Sequence, residues 1–186
     1  MHDIEPFYNW RDFYISEEDK DSPFYKMTYN EFAHTNKIYN YYVHPQWDQF
    51  GSETMYIKIL FADYEEGYGI LELIGEWNDC IGNDIMYLKR DIIDVMIKSG
   101  VNKFVLLCEH VLNFHGSDDC YYEEWKEDVE DGGWVCFVNT LPHVLEEMKR
   151  TMIQYHIHIG ESFNDINWRK MTPNYLVEFI EDKILS

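Results

Sequence analysis

The sequence predicts an α/β protein. Its mixed sheet opens with an N-terminal antiparallel hairpin, continues through βαβ crossovers, and is preceded by an aromatic N-terminal arm. Three observations lead there. Two β-rich runs, "TMYIKILFAD" and "YGILELIGEW", flank the short Gly-containing turn "YEEG", which is the pattern of a hairpin. Beyond residue 80 the apolar spacing changes from two to three and four, the signature of a helix. From there helical and strand-like segments alternate, and alternation of that kind implies parallel strands joined by crossover helices.

Residues 1–36 are polar, acidic and rich in rings (Phe7, Trp10, Tyr14, Phe24, Tyr29 and Phe32 among them), with no sustained period of 2 or 3.6. They are expected to form an arm that packs its rings on the domain. A surface of exposed rings for a partner is the competing reading, and it would make the protein sticky. Residues 37–186 are expected to form a single α/β domain, since no repeat and no flexible linker divides them. "KIYNYYVH" reads as a first strand, broken by "PQWDQFGSE", so three antiparallel strands are expected before any helix.

In "CIGNDIMYLKRDIIDVMIKSGV", Ile85, Leu88, Ile92 and Val95 fall on one helical face, with Asn83 or Asp84 as cap and Gly100 as the stop. "NKFVLLCEH" and "GGWVCFVN" read as buried strands. "TLPHVLEEMKRTMIQ" reads as a helix capped by Thr140, with Pro142 in its first turn and Val144, Leu145, Met148 and Met152 inward. "YHIHIG" alternates as a further strand, and "TPNYLVEFIEDKIL" is a closing helix capped by Thr172 with Pro173 just inside.

The formal net charge of -20 narrows the class of partner. A phosphate backbone needs clustered Lys and Arg, and an anionic membrane surface needs the same, so neither nucleic acid nor membrane is expected. A strongly negative field favours solubility or a basic protein partner. No apolar run approaches the roughly 20 residues of a membrane span, and "MHDIEPFYNW" carries no basic start with an apolar h-region. The four cysteines form no CxxC pair, and Cys108 and Cys136 sit inside apolar runs, so reduced thiols in a cytoplasm are expected. No G-x-G-x-x-G or Walker pattern is present, and no cofactor is expected.

The segment "NFHGSDDCYYEEWKEDVEDGGW", residues 113–134, sorts itself when residues 117–131 are placed on a helix. Tyr121, Trp125 and Val129 then form an apolar stripe, Ser117 is the N-cap, Asp118 and Asp119 suit the positive end of the dipole, and Gly132 with Gly133 stops the helix. Asp128, Glu130 and Asp131 crowd the negative end, with Lys126 alone to offset them. Simple tolerance in an acidic protein accounts for this; so does a docking face for a basic partner.

Residues 68–160 resemble the STAS domain, the fold of bacterial anti-sigma-factor antagonists. "ILELIGEWND" is similar to that family's "L-x-G-x-L-D" strand and turn. "VNKFVLLCEHVLNFHGSDD" is similar to its central strand and the "D-S-S-G" loop that follows, and "GGWVCFVNTLPHVLEEM" to the next strand and helix. In that family the loop serine is phosphorylated by a partner kinase, and the matching position here is Ser117. "HG" stands here in place of the family's acidic residue, and Asp118 and Asp119 would repel a new phosphate.

No motif identifies an enzyme. A non-enzymatic cytoplasmic regulatory or scaffolding protein is expected, binding a protein partner through Ser117, Glu123, Glu124, Glu127 and Asp128. The alternative is a small metal-dependent hydrolase built on His115, Asp118, Asp119 and His158. In that reading His156 and His158, on one face of a strand, present two imidazoles to a metal; in the competing one they merely fill a half-exposed face while Tyr155, Ile157 and Ile159 point inward. Among the thiols, Cys120 lies in a run of carboxylates that opposes a thiolate, which leaves Cys80 as the better candidate for thiol chemistry.

Overall fold

The computed structural model describes residues 4–186. The hairpin forms where the β-rich runs are. β3 (Met55–Asp63) pairs antiparallel with β4 (Tyr68–Asn78), Asp63 lying opposite Tyr68. The Asp63 side chain accepts from the amides of Glu65 and Glu66 at 3.0 and 2.9 Å, which folds the turn. β5 (Lys103–His115) adds parallel to β4, and β6 (Trp134–Val138) parallel to β5, giving the order β3-β4-β5-β6. The protein is thus a mixed α/β fold that starts with an antiparallel hairpin.

"KIYNYYVH" does not join this sheet. It closes on itself as β1 (Lys37–Ile38) and β2 (Tyr41–Tyr42), a separate two-stranded ribbon, because Tyr39 adopts a positive φ of 53° and turns the chain at once. Among the described residues, the edge of β3 receives a single bridge, Asp48 to Ile57.

Both faces of the main sheet are covered, so its strands are apolar almost throughout. One face, with Ile57, Leu71, Leu73, Phe104, Leu106 and Phe137, lies under four helices. These are α1 (Asp84–Tyr87), α2 (Asp94–Lys98), α3 (Cys120–Val129) and α4 (Pro142–Arg150). The other face, with Leu60, Ile70, Val105, Leu107 and Val138, lies under α5 (Pro173–Leu185) together with Trp10 and Trp168. Phe7, Trp10 and Trp168 meet edge to face, and the Trp10 indole donates to the carbonyl of Met171 at 3.1 Å. Phe24 is buried against the first face, whereas Tyr8, Phe13 and Phe32 are exposed.

Four further elements depart from the sequence expectations. A π-helical stretch, Leu88–Ile93, joins α1 to α2. Its wider turn rotates the apolar face, so Ile93 and Met96 follow Ile85, Leu88 and Ile92 into the core while Val95 is half-buried. α3 begins at Cys120 with Asp119 as N-cap, and Ser117 stays in the loop before it. The buried stripe is accordingly Tyr122, Trp125 and Val129, with Tyr121 half-buried. α4 is capped by Leu141 rather than Thr140, which is buried, and it ends before Met152, which is exposed with φ 63°. Beyond that left-handed residue the chain makes a 3-10 turn, Ile153–Tyr155, so "YHIHIG" is not a strand. His158 alone bridges β6, through Phe137 N to His158 O and His158 N to Val135 O, both 2.9 Å. The closing helix α5 matches its expectation: Thr172 accepts from Tyr175 N, and Pro173 is the first helical residue.

At the end of β4 the buried carboxyl of Asp79 collects three donors. Oδ1 accepts from the Trp77 indole and the Ile85 amide, each at 2.9 Å, and Oδ2 accepts from the Tyr122 hydroxyl at 2.6 Å. Burial pushes this carboxyl up to about 6, against the pull of Tyr122, Ile85 and Trp77 toward the charged form. The unfolded chain gives up that proton first. Stability from this group is therefore full below the ordinary carboxylate range and declines as pH rises through about 4 to 6. Asp79→Asn keeps the shape and removes the titration. Across that window the variant should gain stability relative to the parent by up to roughly 3 kcal/mol, measured by urea unfolding at several pH values. Parallel stability curves would show that Asp79 does not titrate in the window.

Candidate functional site

β4 and β5 run parallel and end together, Asn78 opposite His115, and the amides of Asp79 and Cys80 both donate to the carbonyl of His115, at 2.9 and 3.1 Å. The loop after β5 is pressed against the end of α4: a Cβ on Gly116 would lie 2.3 Å from Thr151 Cγ2, so only glycine fits there. Between the strand ends and α4 lies an open cavity of about 500 Å³ lined by Asn78, Cys80, Ile81, Asn113, His115 and Glu147, among others. Crevices at the carboxyl ends of parallel strands are where open α/β sheets place ligands. His115 is exposed, and its Nε2 lies 3.2 Å from Asn113 Nδ2.

The structure does not gather His115, Asp118, Asp119 and His158 into one group. Asp118 Oδ1 accepts from the Cys120 amide at 3.1 Å, serving the first turn of α3. Asp119 Oδ2 is 2.9 Å from His156 Nε2, and that hydrogen bond holds the Asp119 carboxyl below its ordinary range. His158 is half-buried beside β6, with its ring 6.1 Å from Phe163. Among the described residues, the His/Cys/Asp/Glu group whose ligand atoms come within 4.8 Å of one another is Glu72, Glu109 and His110. These three lie outside the sites expected from the sequence. The signal was a carboxylate inside each unbroken apolar run, "ILELIG" and "LLCEHVL", where both sheet faces are covered. Burial pushes Glu72 up to about 7, against the Phe7 amide and Arg169.

The expected partner-binding acids divide into two sets. Lys89, fully buried, ion-pairs with Asp128 at 2.6 Å and with Asp94. Burial works against its charge, yet hydrogen bonds to Asp128 and Asp94 outweigh that and hold its pKa above the ordinary value. Arg90 Nη2 donates to Glu124 Oε2 at 2.8 Å. Glu124 and Asp128 thus serve as counter-ions that fasten α3 to the helical rod 84–98, while their side chains stay 37% and 42% exposed. The signal for this was "LKR" at 88–90, two cations inside an apolar helix that faces an acidic one. Glu123 and Glu127 remain exposed, one turn apart, with no ion pair among the described residues, and Glu130 and Asp131 continue the exposed face. Ser117 is exposed in the loop that leads into α3.

No family model matches the chain. No curated protein matches it. Comparison with solved structures finds the anti-sigma factor antagonist SpoIIAA in its unphosphorylated form, at 9% identity and a TM-score of 0.46, covering 68% of this chain and 96% of that one.

Cys80 and Cys120 are exposed, whereas Cys108 and Cys136 are buried. A side-chain hydrogen bond to Asp118, with the nearby carboxylates, holds the Cys120 thiol above its ordinary value. Titration of the folded protein with a chromogenic disulfide at pH 8 should label Cys80 and then Cys120. Denaturant should be required for Cys108 and Cys136, with sites assigned by peptide mass. Prompt labelling of either buried cysteine would contradict this arrangement.

Proposed function

We propose that the chain is a non-enzymatic regulatory or scaffolding protein of the cytoplasm that binds a basic protein partner along the outward face of α3, with Ser117 at the near end of that face. The observation that supports this most is the contrast between the two sets of acids. Glu124 and Asp128 are neutralised by Arg90 and Lys89, whereas Glu123 and Glu127 stand exposed at i and i+4 without a counter-ion among the described residues. Like charges at that spacing destabilise a helix by a few tenths of a kcal/mol, and a basic partner would relieve them. Glu130 and Asp131 extend the same charge past the end of the helix, where the dipole is already negative.

A phosphate on Ser117 would enter next to Asp118 and Asp119, which already serve the start of α3 and His156. In this proposal such a modification adds negative charge to the docking face, and Ser117→Asp mimics it. The cytoplasmic setting accords with four free thiols. No helix among the described residues is long and apolar enough to cross a membrane.

Affinity purification from the native host, followed by direct binding measurement with the recovered partner, tests the proposal. Glu123→Lys combined with Glu127→Lys should weaken the complex at least tenfold and reduce its salt dependence, since rim charges act through steering. Glu146→Lys on α4 serves as a charge control and should change little. A complex that survives the double reversal with unchanged affinity and salt dependence would eliminate α3 as the docking face.

A further inference from the structure

On the side of the sheet away from α3, three potential ligands converge through a fault in strand pairing. Leu71 lies opposite Leu106 and Glu72 opposite Leu107, but Ile74 lies opposite His110, so β5 spends two residues, Cys108 and Glu109, where β4 spends one. Successive residues of a regular strand point to opposite faces. The extra residue breaks that alternation and lets Glu109 and His110 both approach Glu72, with one ligand atom of each within 4.8 Å of the others.

Glu72 is 1% exposed, and its two oxygens are treated unequally. Oε2 accepts from the Phe7 amide at 2.8 Å. Oε1 has Arg169 Nη2 as its cation at 3.7 Å, beyond hydrogen-bond length. Arg169 instead sits on Glu109 at 2.5 Å and over the Trp168 ring, with a side chain that is 41% exposed. Glu72 Oε1 is thus paired only at long range, and two carboxylates share one guanidinium. A buried carboxylate whose cation stands that far off is costly, and a cation held closer would stabilise it. His110 also lines an apolar groove of about 260 Å³ beside Ile38, Val43, Ile74 and Leu112.

We propose that Glu72, Glu109 and His110 form a binding site for a divalent transition-metal cation, with Arg169 as the mobile counter-ion that the metal displaces. Two carboxylates and one imidazole are a ligand set suited to Zn²⁺, Mn²⁺ or Fe²⁺, with the remaining coordination positions left to water. Metal–ligand bonds of about 2.1 Å require the three groups to close by an ångström or so. Glu109 and His110, which are only partly buried, can make that adjustment. Arg169, whose side chain is 41% exposed, would give up Glu109 and the Trp168 ring for solvent when the metal binds.

The test uses the full chain without a histidine tag, stripped of metal, and Co²⁺ alone as the first probe. One Co²⁺ per chain should bind and give visible d–d absorption. Calorimetry with Zn²⁺ alone should then give matching stoichiometry. His110→Gln and Glu109→Gln should each weaken Zn²⁺ at least tenfold, with circular dichroism confirming the fold. Arg169→Met discriminates most sharply. If the cluster is only a structural ion pair, this variant loses stability and gains no metal affinity; if the metal competes with the guanidinium, it tightens Zn²⁺ roughly tenfold. Absence of stoichiometric binding in both the parent and Arg169→Met would overturn the proposal. So would binding that His110→Gln and Glu109→Gln leave unchanged. Glu123→Lys with Glu127→Lys should bind Zn²⁺ as the parent does, so failure of the docking face and failure of the metal site are separable.

Discussion

The buried carboxyl of Asp79 is the interaction on which the arrangement of this protein turns. It lies where β4 ends, and its three donors come from three different elements: the Trp77 indole of the strand, the Ile85 amide in the first turn of α1, and the Tyr122 hydroxyl of α3. A carboxylate taken out of water is expensive, and it is tolerated here because each oxygen is met by a donor. The dependence is mutual. Without the carboxylate, a buried indole N–H and a buried phenol would each lose a partner, at about 1–3 kcal/mol apiece. One small acid thus fixes where the strand stops, where the first helix starts, and which side of α3 faces inward.

A second constraint reinforces the first at the other end of α3. Lys89 is carried into the interior by the π-helical stretch and is met there by Asp94 and Asp128, while Arg90 beside it takes Glu124. Buried ion pairs contribute little net stability over an apolar substitute, but breaking one partner leaves a charge stranded. Their effect is on specificity of placement. α3 is held by Tyr122 near its start and by Glu124 and Asp128 further along, which leaves Glu123 and Glu127 turned to solvent. The free and the bound acids of this helix are set by the same packing.

Much of the fold was legible in the sequence, and the misses have physical reasons. The hairpin at "YEEG" follows from two β-rich runs around a Gly-containing turn, and the crossovers to β5 and β6, the body of α4 and the Thr172-capped α5 follow from apolar spacing. The register of α3 did not, because a helix begun at Ser117 and one begun at Cys120 bury equally plausible stripes. What decides between them is the long-range bond from Tyr122 to Asp79, 43 residues earlier in the chain. Val95 falls on the apolar face of a 3.6-residue period yet is half-buried, because no local pattern announces a π turn. "YHIHIG" alternates as a strand should, but the left-handed Met152 converts its first half into a turn. For the candidate sites, composition pointed to the acidic helix, yet only packing could separate Glu124 and Asp128 from Glu123 and Glu127. Glu72, Glu109 and His110 converge through a register fault between parallel strands, which a linear reading cannot see.

The central claim is that Asp79 positions α3, and amide hydrogen exchange resolved along the chain tests it most directly when Tyr122→Phe is compared with the parent protein. Removing one hydroxyl leaves the aromatic packing in place and deletes a single link between α3 and the end of β4. If Asp79 holds the helix, amides of residues 122–129 should lose protection selectively, opening well before the amides of β4 and β5 that carry the core. Unchanged protection in α3, or a uniform loss across helix and sheet alike, would contradict the account.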